Sequence, residues 1–225
     1  MQGKDGAEEF MNSLIVLNGG LGSPSTTRKL AERIAGAVEA QVGRRGESVA
    51  VEYIDIREYA ADLATMMTTG IASEKLKAAQ DKITAADAMV AASPVFAASY
   101  SGLFKMFMDA LDPDAITGMP VIIAATAGTP RHSLMLEYAM RPLLSYLRAD
   151  VMSTAVFAAT DDFGGEENLD RRIERAASQL ADEIARVSGA VEGLGPSSQV
   201  KRSSGNDVAA DVPDFLNLLS GHDGN

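Results

Sequence analysis

The chain has 225 residues, of which 46% are hydrophobic and 23% charged, enough for one large globular domain with its own core. A formal net charge of −11 argues against nucleic acid or an anionic membrane as partner. There is no cysteine, which excludes disulfides, thiol catalysis and cysteine-held metals, and two histidines, His132 and His222, are too few for a histidine-rich metal site.

Residues 13–18 (SLIVLN) read as a short buried strand. Residues 27 to about 40 carry Leu30, Ile34, Ala35 and Val38 at helical spacing. Strand two is the alternating, β-rich stretch 48–56. Residues 57–71, rich in Met and Thr, read as irregular, and 73–84 as a helix. Residues 88–93 (AMVAAS) form strand three, followed by a helix over 101–111 that Asp112-Pro113 ends. Strand four is 121–126 (VIIAAT), then a helix over 131–147, and strand five is 151–157. The last helix spans 169–187, with Leu180, Ile184 and Val187 on one stripe. Residues 1–12 read as a tail, 13–190 as one domain, and 191–225 as a Gly/Ser/Asp-rich tail with an apolar island at 212–219. No apolar run approaches the roughly 20 residues of a membrane span. The polar, acidic start is no signal peptide, so a cytoplasmic protein is expected.

Strands alternating with helices, most of them continuous apolar runs, imply a parallel sheet covered on both faces. The expected fold is therefore α/β, a doubly wound five-stranded parallel sheet, and by analogy its order is the flavodoxin-like 2-1-3-4-5. In such sheets ligands sit at the carboxyl ends of the strands near the switch point, which directs attention to the loops after strands one, three and four.

The first of these loops, in LNGGLGSPSTTRKLAERI, is neither a P-loop nor G-x-G-x-x-G, because Ser25 stands where the third glycine would be. It places Ser23, Ser25, Thr26 and Thr27 at a helix N-terminus, where outward N–H groups and the helix dipole favour an anion by about 0.3–1 kcal/mol. The alternative is that Ser25 or Thr26 simply caps the helix. The loop after strand three, ASPVFAASYSGLFKMFMDAL, offers Pro94, Val95 and Phe96 as a platform for a flat ligand, then Ser99, Tyr100 and Ser101. The loop after strand four begins Thr126-Ala127-Gly128-Thr129, small enough for a ring to approach the backbone.

Taken together, these three stretches resemble the flavodoxin-like NADPH-dependent FMN reductases, the reductase components of two-component alkanesulfonate-type and luciferase-like monooxygenase systems. VFAATDDFG and DVPDFLNLL add to the resemblance. It implies an enzyme that reduces FMN with NADPH or NADH and supplies reduced FMN to a flavin-dependent monooxygenase, as a homodimer or homotetramer. It puts the FMN phosphate on Ser25, Thr26 and Thr27 with Ser23 nearby, the ring edge at Pro94, Val95 and Phe96 with Ser99 assisting, and Gly128 and Thr129 beside the ring. Two departures stand out: Gly20 where the family has Ser, and Phe96 where it has Tyr. With no Trp and one loop hydroxyl fewer, FMN is expected to bind modestly and leave.

Hydride transfer to a flavin needs no protein acid or base, so no catalytic side chain is assigned, and His132 at a first helical turn reads as structural. Arg131 and Arg141 are candidates for the phosphates of the nicotinamide nucleotide. Pro142 frees the carbonyl of Tyr138 within a helix, which predicts a kink or π-bulge. By the resemblance this helix belongs to a subunit interface, with Tyr138 near the site; otherwise it is a bend that follows the sheet. The rival functions are a tightly flavinated quinone, azo or metal-ion reductase, and a flavodoxin-type carrier. The carrier is disfavoured because only Phe96 and Tyr100 could sandwich the ring. A signalling domain of the same topology would need an acidic cluster where Asn18-Gly19-Gly20 stands.

Overall fold

The computed structural model describes residues 11–163, 167–188 and 201–206. The polar start and the island at 212–219 lie outside the described residues. In chain order the elements begin with β1 (Asn12–Asn18), α1 (Thr26–Arg44), β2 (Val49–Asp55), a 3-10 turn (Ile56–Tyr59), α2 (Ala60–Thr69) and α3 (Glu74–Ala85). β3 (Ala88–Phe96), β4 (Ser99–Tyr100), α4 (Gly102–Asp109) and β5 (Pro120–Ala127) follow. A 3-10 turn (Pro130–His132), a π-helix (Leu136–Met140), α5 (Arg141–Tyr146), β6 (Asp150–Val151), β7 (Val156–Ala159) and α6 (Glu167–Ser188) complete the set.

The sheet runs β2-β1-β3-β5, with β6 and β7 both parallel to β5 on its outer side. Counting β6 and β7 as one interrupted position, this is the expected 2-1-3-4-5 order, with β4 added as a small antiparallel hairpin strand on β3. Alternate residues of each strand enter different cores. Leu14, Val16, Val90 and Ile122 pack under α1 and α6. Ile15, Leu17, Met89 and Ile123 pack under α2, α3, α4 and the π-helix. Burial on both faces is why these strands are continuous apolar runs.

Three expectations are corrected. Residues 57–71 are not irregular; they form a 3-10 turn and α2. Leu63 is the single fully buried side chain of α2, so the helical stripe is faint. Thr65, Thr68 and Thr69 return their hydroxyls to carbonyls one turn back, at Ala61, Ala64 and Thr65, and Gly70 closes the helix at φ 74°. Strand five is not continuous over 151–157. Its interruption is sealed by side chains: Arg141 donates to the carbonyls of Val151, Met152 and Ser153, and the Gln179 amide oxygen accepts from Thr154 N–H. The helix over 131–147 is three pieces. Its middle is the π-helix, whose closing bond runs from Arg141 N–H to the Leu136 carbonyl, so Pro142 opens a new α-helical segment instead of interrupting one.

Part of the C-terminal tail is placed. Arg202 donates to the carbonyls of Thr84 and Ala86 at the end of α3, and Asn206 donates to Asp81 at 2.7 Å. No helix among the described residues is long and apolar enough to cross a membrane.

Candidate functional site: a hydroxyl pocket and a ring platform

β1, β3 and β5 are adjacent and in register, Asn18 beside Ala92 and Pro94 beside Thr126. The three loops singled out from sequence therefore leave one edge of the sheet side by side.

The first loop is organised from its base. Buried Asn18 donates to Asp55 at 2.7 Å, and its amide oxygen accepts from Gly20 N–H at 3.0 Å. Gly20 is needed for space: a Cβ there would sit 2.1 Å from Ser25 Oγ. Ser25 caps α1 by accepting from Arg28 N–H at 3.1 Å, as the capping alternative required. Accepting leaves the Ser25 proton available, so capping and ligand binding are compatible. The N–H groups of Thr26 and Thr27, in the first turn, have no partner within the helix. Gly20, Gly22, Ser23 and Ser25 line a cavity of about 160 Å³, with Asn18, Arg28, Asp55 and Arg57 around them.

Thr27 stands apart from the other three hydroxyl residues. It is buried, and its Oγ1 lies 2.7 Å from Thr126 Oγ1 of β5, tying the first loop to the third. Arg28 is committed as well. It bonds both oxygens of Asp55 at 3.0 Å and Glu32 at 2.8 Å, and lies 3.8 Å over the Tyr53 ring. Burial works against its charge, but Glu32 and Asp55 outweigh it and raise its pKa above the ordinary value. Arg57, from the turn after β2, donates to the Gly22 carbonyl at 3.2 Å. Asn18, Asp55 and Arg57 were not assigned from sequence. Asp55 and Arg57 come from the end of β2, which the loop search did not cover.

The second loop is a two-residue hairpin turn. Ala97 and Ala98 both have left-handed φ, 46° and 64°, where glycine or asparagine is usual. This turn joins Phe96 to Ser99, which pair directly. Phe96 is 51% exposed at the strand end, with Pro94, Val95 and Ser99 half-buried beside it. Buried Ser93 accepts from Ser101 N–H, and Ser101 caps α4, so the hairpin base is fixed. In the third loop Gly128 and Thr129 are exposed, and a Cβ on Gly128 would meet nothing within 4 Å. Arg131 is exposed beyond them. Arg141 is corrected as a phosphate ligand: Glu137 and the carbonyls after β6 occupy its guanidinium. His132 has no hydrogen bond among the described residues.

A parallel sheet of this order, with a hydroxyl pocket at the first helix and an aromatic hairpin on the adjacent strand, defines a flavodoxin-like fold with its ligand site at the strand ends. The chain belongs to the NADPH-dependent FMN reductase family, whose model matches residues 12–164. It is 34% identical over 174 residues to an FMN reductase (NADPH) of Pseudomonas aeruginosa, covering 75% of this chain and 90% of the relative. It is 31% identical over 172 residues to the NADH-dependent FMN reductase SfnF of Pseudomonas putida, covering 75% and 90%. Among solved structures it resembles an oxidoreductase from Corynebacterium diphtheriae at 54% identity and TM-score 0.76, covering 78% of this chain and 98% of that one. The protein is thus an oxidoreductase that works with FMN and a nicotinamide nucleotide.

The residues fit an FMN. The small cavity brings hydroxyls together with Arg28 and Arg57, donors suited to a phosphate, and the exposed Phe96 and the open space over Gly128 leave room for a ring.

Proposed function

We propose that this chain takes FMN as a dissociable substrate, reduces it with NADPH or NADH, and passes reduced FMN to a flavin-dependent monooxygenase. The observation that carries the reading is the commitment of Arg28. Its guanidinium is engaged by Asp55 and Glu32, which leaves the phosphate to the hydroxyls of Ser23, Ser25 and Thr26, to first-turn N–H groups and to Arg57 at the cavity wall. A hydroxyl bonded to a charged phosphate contributes about 1.5–3 kcal/mol, but without a guanidinium in bidentate contact the site holds its ligand less tightly than an arginine-clamped one.

When bound, FMN supplies the hydride acceptor, and the nicotinamide supplies the hydride. The chain's own part is geometry. The first loop anchors the phosphate, and Thr27, bonded to Thr126, holds that loop against β5. Pro94, Val95, Phe96 and Ser99 support one edge of the ring. Gly128 and Thr129 leave its face open, so that a nicotinamide can reach the distance of about 3–3.5 Å that the reaction needs.

Residues 13–190 act as one catalytic domain, and the protein works in the cytoplasm. Leu134, Tyr138 and Tyr146 are 62%, 79% and 81% exposed on the π-helix and its flanks, which supports a homodimer or homotetramer formed through that face. The relatives' names, FMN reductase (NADPH) and NADH-dependent FMN reductase, support FMN itself as the group that is reduced.

The test is flavin content and turnover. Purified protein should be colourless or substoichiometrically yellow, its NADPH oxidation should saturate in added FMN, and its product should support a flavin-dependent monooxygenase. One FMN per chain retained through dialysis, with no response to free FMN, would overturn this reading in favour of a tightly flavinated quinone or azo reductase.

A further inference from the structure

Along the open edge of the sheet, α6 faces the π-helix across a groove of about 780 Å³. Its floor is the interruption between β6 and β7, at Thr154 and Ala155, with Phe157. α6 contributes Asn168, Arg171, Arg172 and Arg175, positions i, i+3, i+4 and i+7 of one helical face.

The charges of α6 are sorted by face. Asp170, Glu174 and Asp182 face α1, where Arg33 pairs with Asp170, Gln41 with Glu174, and Arg45 with Asp182 at 2.6 Å. The three arginines face the groove, and among the described residues none of them pairs with a carboxylate. Arg171 donates to the Glu167 carbonyl and to Asn168, and Arg172 donates to the Phe157 carbonyl. Arg175 has no hydrogen bond among the described residues. The two carboxylates of the groove are engaged elsewhere, Glu137 by Arg141 and Asp162 by Ala159 N–H. Three arginines against the two carboxylates of Glu137 and Asp162 leave the groove lining net positive in a chain of net charge −11, which favours an anion there. Guanidinium groups on a rigid helix suit a phosphate dianion, which they bind in a bidentate fashion.

The groove also starts at the functional loop. Pro130 and Ser133 line it, immediately after Gly128 and Thr129. We propose that it holds the adenosine end of the nicotinamide nucleotide, with Arg171 and Arg175 binding the 2′-phosphate that distinguishes NADPH from NADH. This rests on the reading above only in placing the nicotinamide beside Gly128. Relatives named for NADPH and for NADH are similar to this chain over the same share of its length, 75%, so the discrimination is a matter of a few residues.

The test compares two probes on the full-length chain by calorimetric titration: adenosine 2′,5′-bisphosphate and adenosine 5′-monophosphate. Wild type should bind the bisphosphate about tenfold or more tightly. In Arg171→Ala and Arg175→Ala that ratio should fall toward one, and kcat/KM for NADPH should fall about tenfold while that for NADH stays within twofold. Both side chains are exposed, so the thermal transition should not move. Equal binding of the two probes by wild type, or an unchanged ratio in both variants, overturns the proposal. So does a charge reversal, Arg175→Glu, that alters oligomer size and leaves the ratio intact, because the groove is then a subunit contact. If wild type prefers the bisphosphate in the expected way but keeps one FMN per chain through dialysis and does not respond to added FMN, the groove stands and the dissociable-substrate reading fails.

Discussion

Gly20→Ala separates the two roles of the first loop. A Cβ at this position would lie 2.1 Å from Ser25 Oγ, 3.0 Å from Asn18 Oδ1 and 3.2 Å from Thr27 Cβ, where ordinary contact begins near 3.4 Å. The Ser25 hydroxyl is the mobile group, so it must rotate away and give up its bond to Arg28 N–H. Loss of an N-cap costs about 1 kcal/mol. Gly20 is not among the positive-φ residues, so alanine fits its backbone, and the smaller entropy of the unfolded alanine chain returns about 0.4–1 kcal/mol. The net change in stability is therefore small, within about 1 kcal/mol destabilising. The effect on ligand is larger, because the rotated hydroxyl no longer faces the pocket and the methyl intrudes on it. A hydrogen bond to a charged phosphate is worth about 1.5–3 kcal/mol, which predicts FMN binding weaker by about tenfold to a hundredfold. Urea denaturation and fluorescence titration of FMN measure the two quantities. Ser25→Gly should remove the clash, so the double variant should lose less than the sum of the singles. Wild-type FMN affinity in Gly20→Ala would refute the assignment of this pocket to the phosphate.

Other outcomes follow from the same geometry. Gly128→Val should keep its circular dichroism and thermal transition, because a Cβ there meets nothing, and should lose FMN-dependent activity; normal activity would show that the ring does not approach this loop. Ala98→Gly removes a left-handed alanine, worth about 1–2 kcal/mol, against about 0.4–1 kcal/mol of unfolded-state entropy, so denaturation should show a gain of about 0.5–1 kcal/mol. Glu137 has its pKa lowered from 4.5 by the hydrogen bond from Arg141, against the effect of burial. A lowered carboxyl pKa contributes stability that is present above pH 4.5 and lost as pH falls through the folded value. Glu137→Gln should therefore flatten the acid limb of the stability curve below about pH 4.5 and leave its shape near neutrality unchanged.

The parts of the fold that could be read from sequence are those fixed by nearest-neighbour patterning. Leu14–Leu17, Met89–Ala92 and Val121–Ala125 are buried on both faces, and no half-exposed strand would tolerate such runs. α2 was hidden because it lies on the surface with one buried residue and three threonines, whose intrinsic preference is against helix. The interruption of strand five was hidden for a different reason. Its unpaired carbonyls and N–H groups are satisfied by Arg141 and Gln179, which are 10–12 and 25 residues away in sequence. No local pattern encodes that arrangement. Pro142 did announce the helix anomaly, because a missing N–H is a local property, but not that it would be resolved as a full π-helical turn.

The same division runs through the site. Hydroxyl identity is local, so Ser23, Ser25, Thr26 and Thr27 could be picked out together. Which way each hydroxyl points is set by the helix and by β5. Thr27, one position beyond Thr26, falls on the inward face of α1 and meets Thr126, 99 residues away. The charge of Arg28 is likewise local, but its availability is not. Asp55 sits opposite because β1 and β2 are parallel and in register, Asn18 beside Asp55, so one carboxylate fixes both the loop's asparagine and its arginine. That carboxylate offsets the charge of Arg28 and leaves Arg57 as the remaining cation of the pocket. A site meant to retain a phosphate would leave Arg28 facing it; a site meant to release one benefits from Asp55. Asp55→Asn should therefore tighten FMN binding by freeing Arg28, even as it loosens Asn18. Weaker binding in that variant would mean that the scaffold role of Asp55 outweighs its neutralising one.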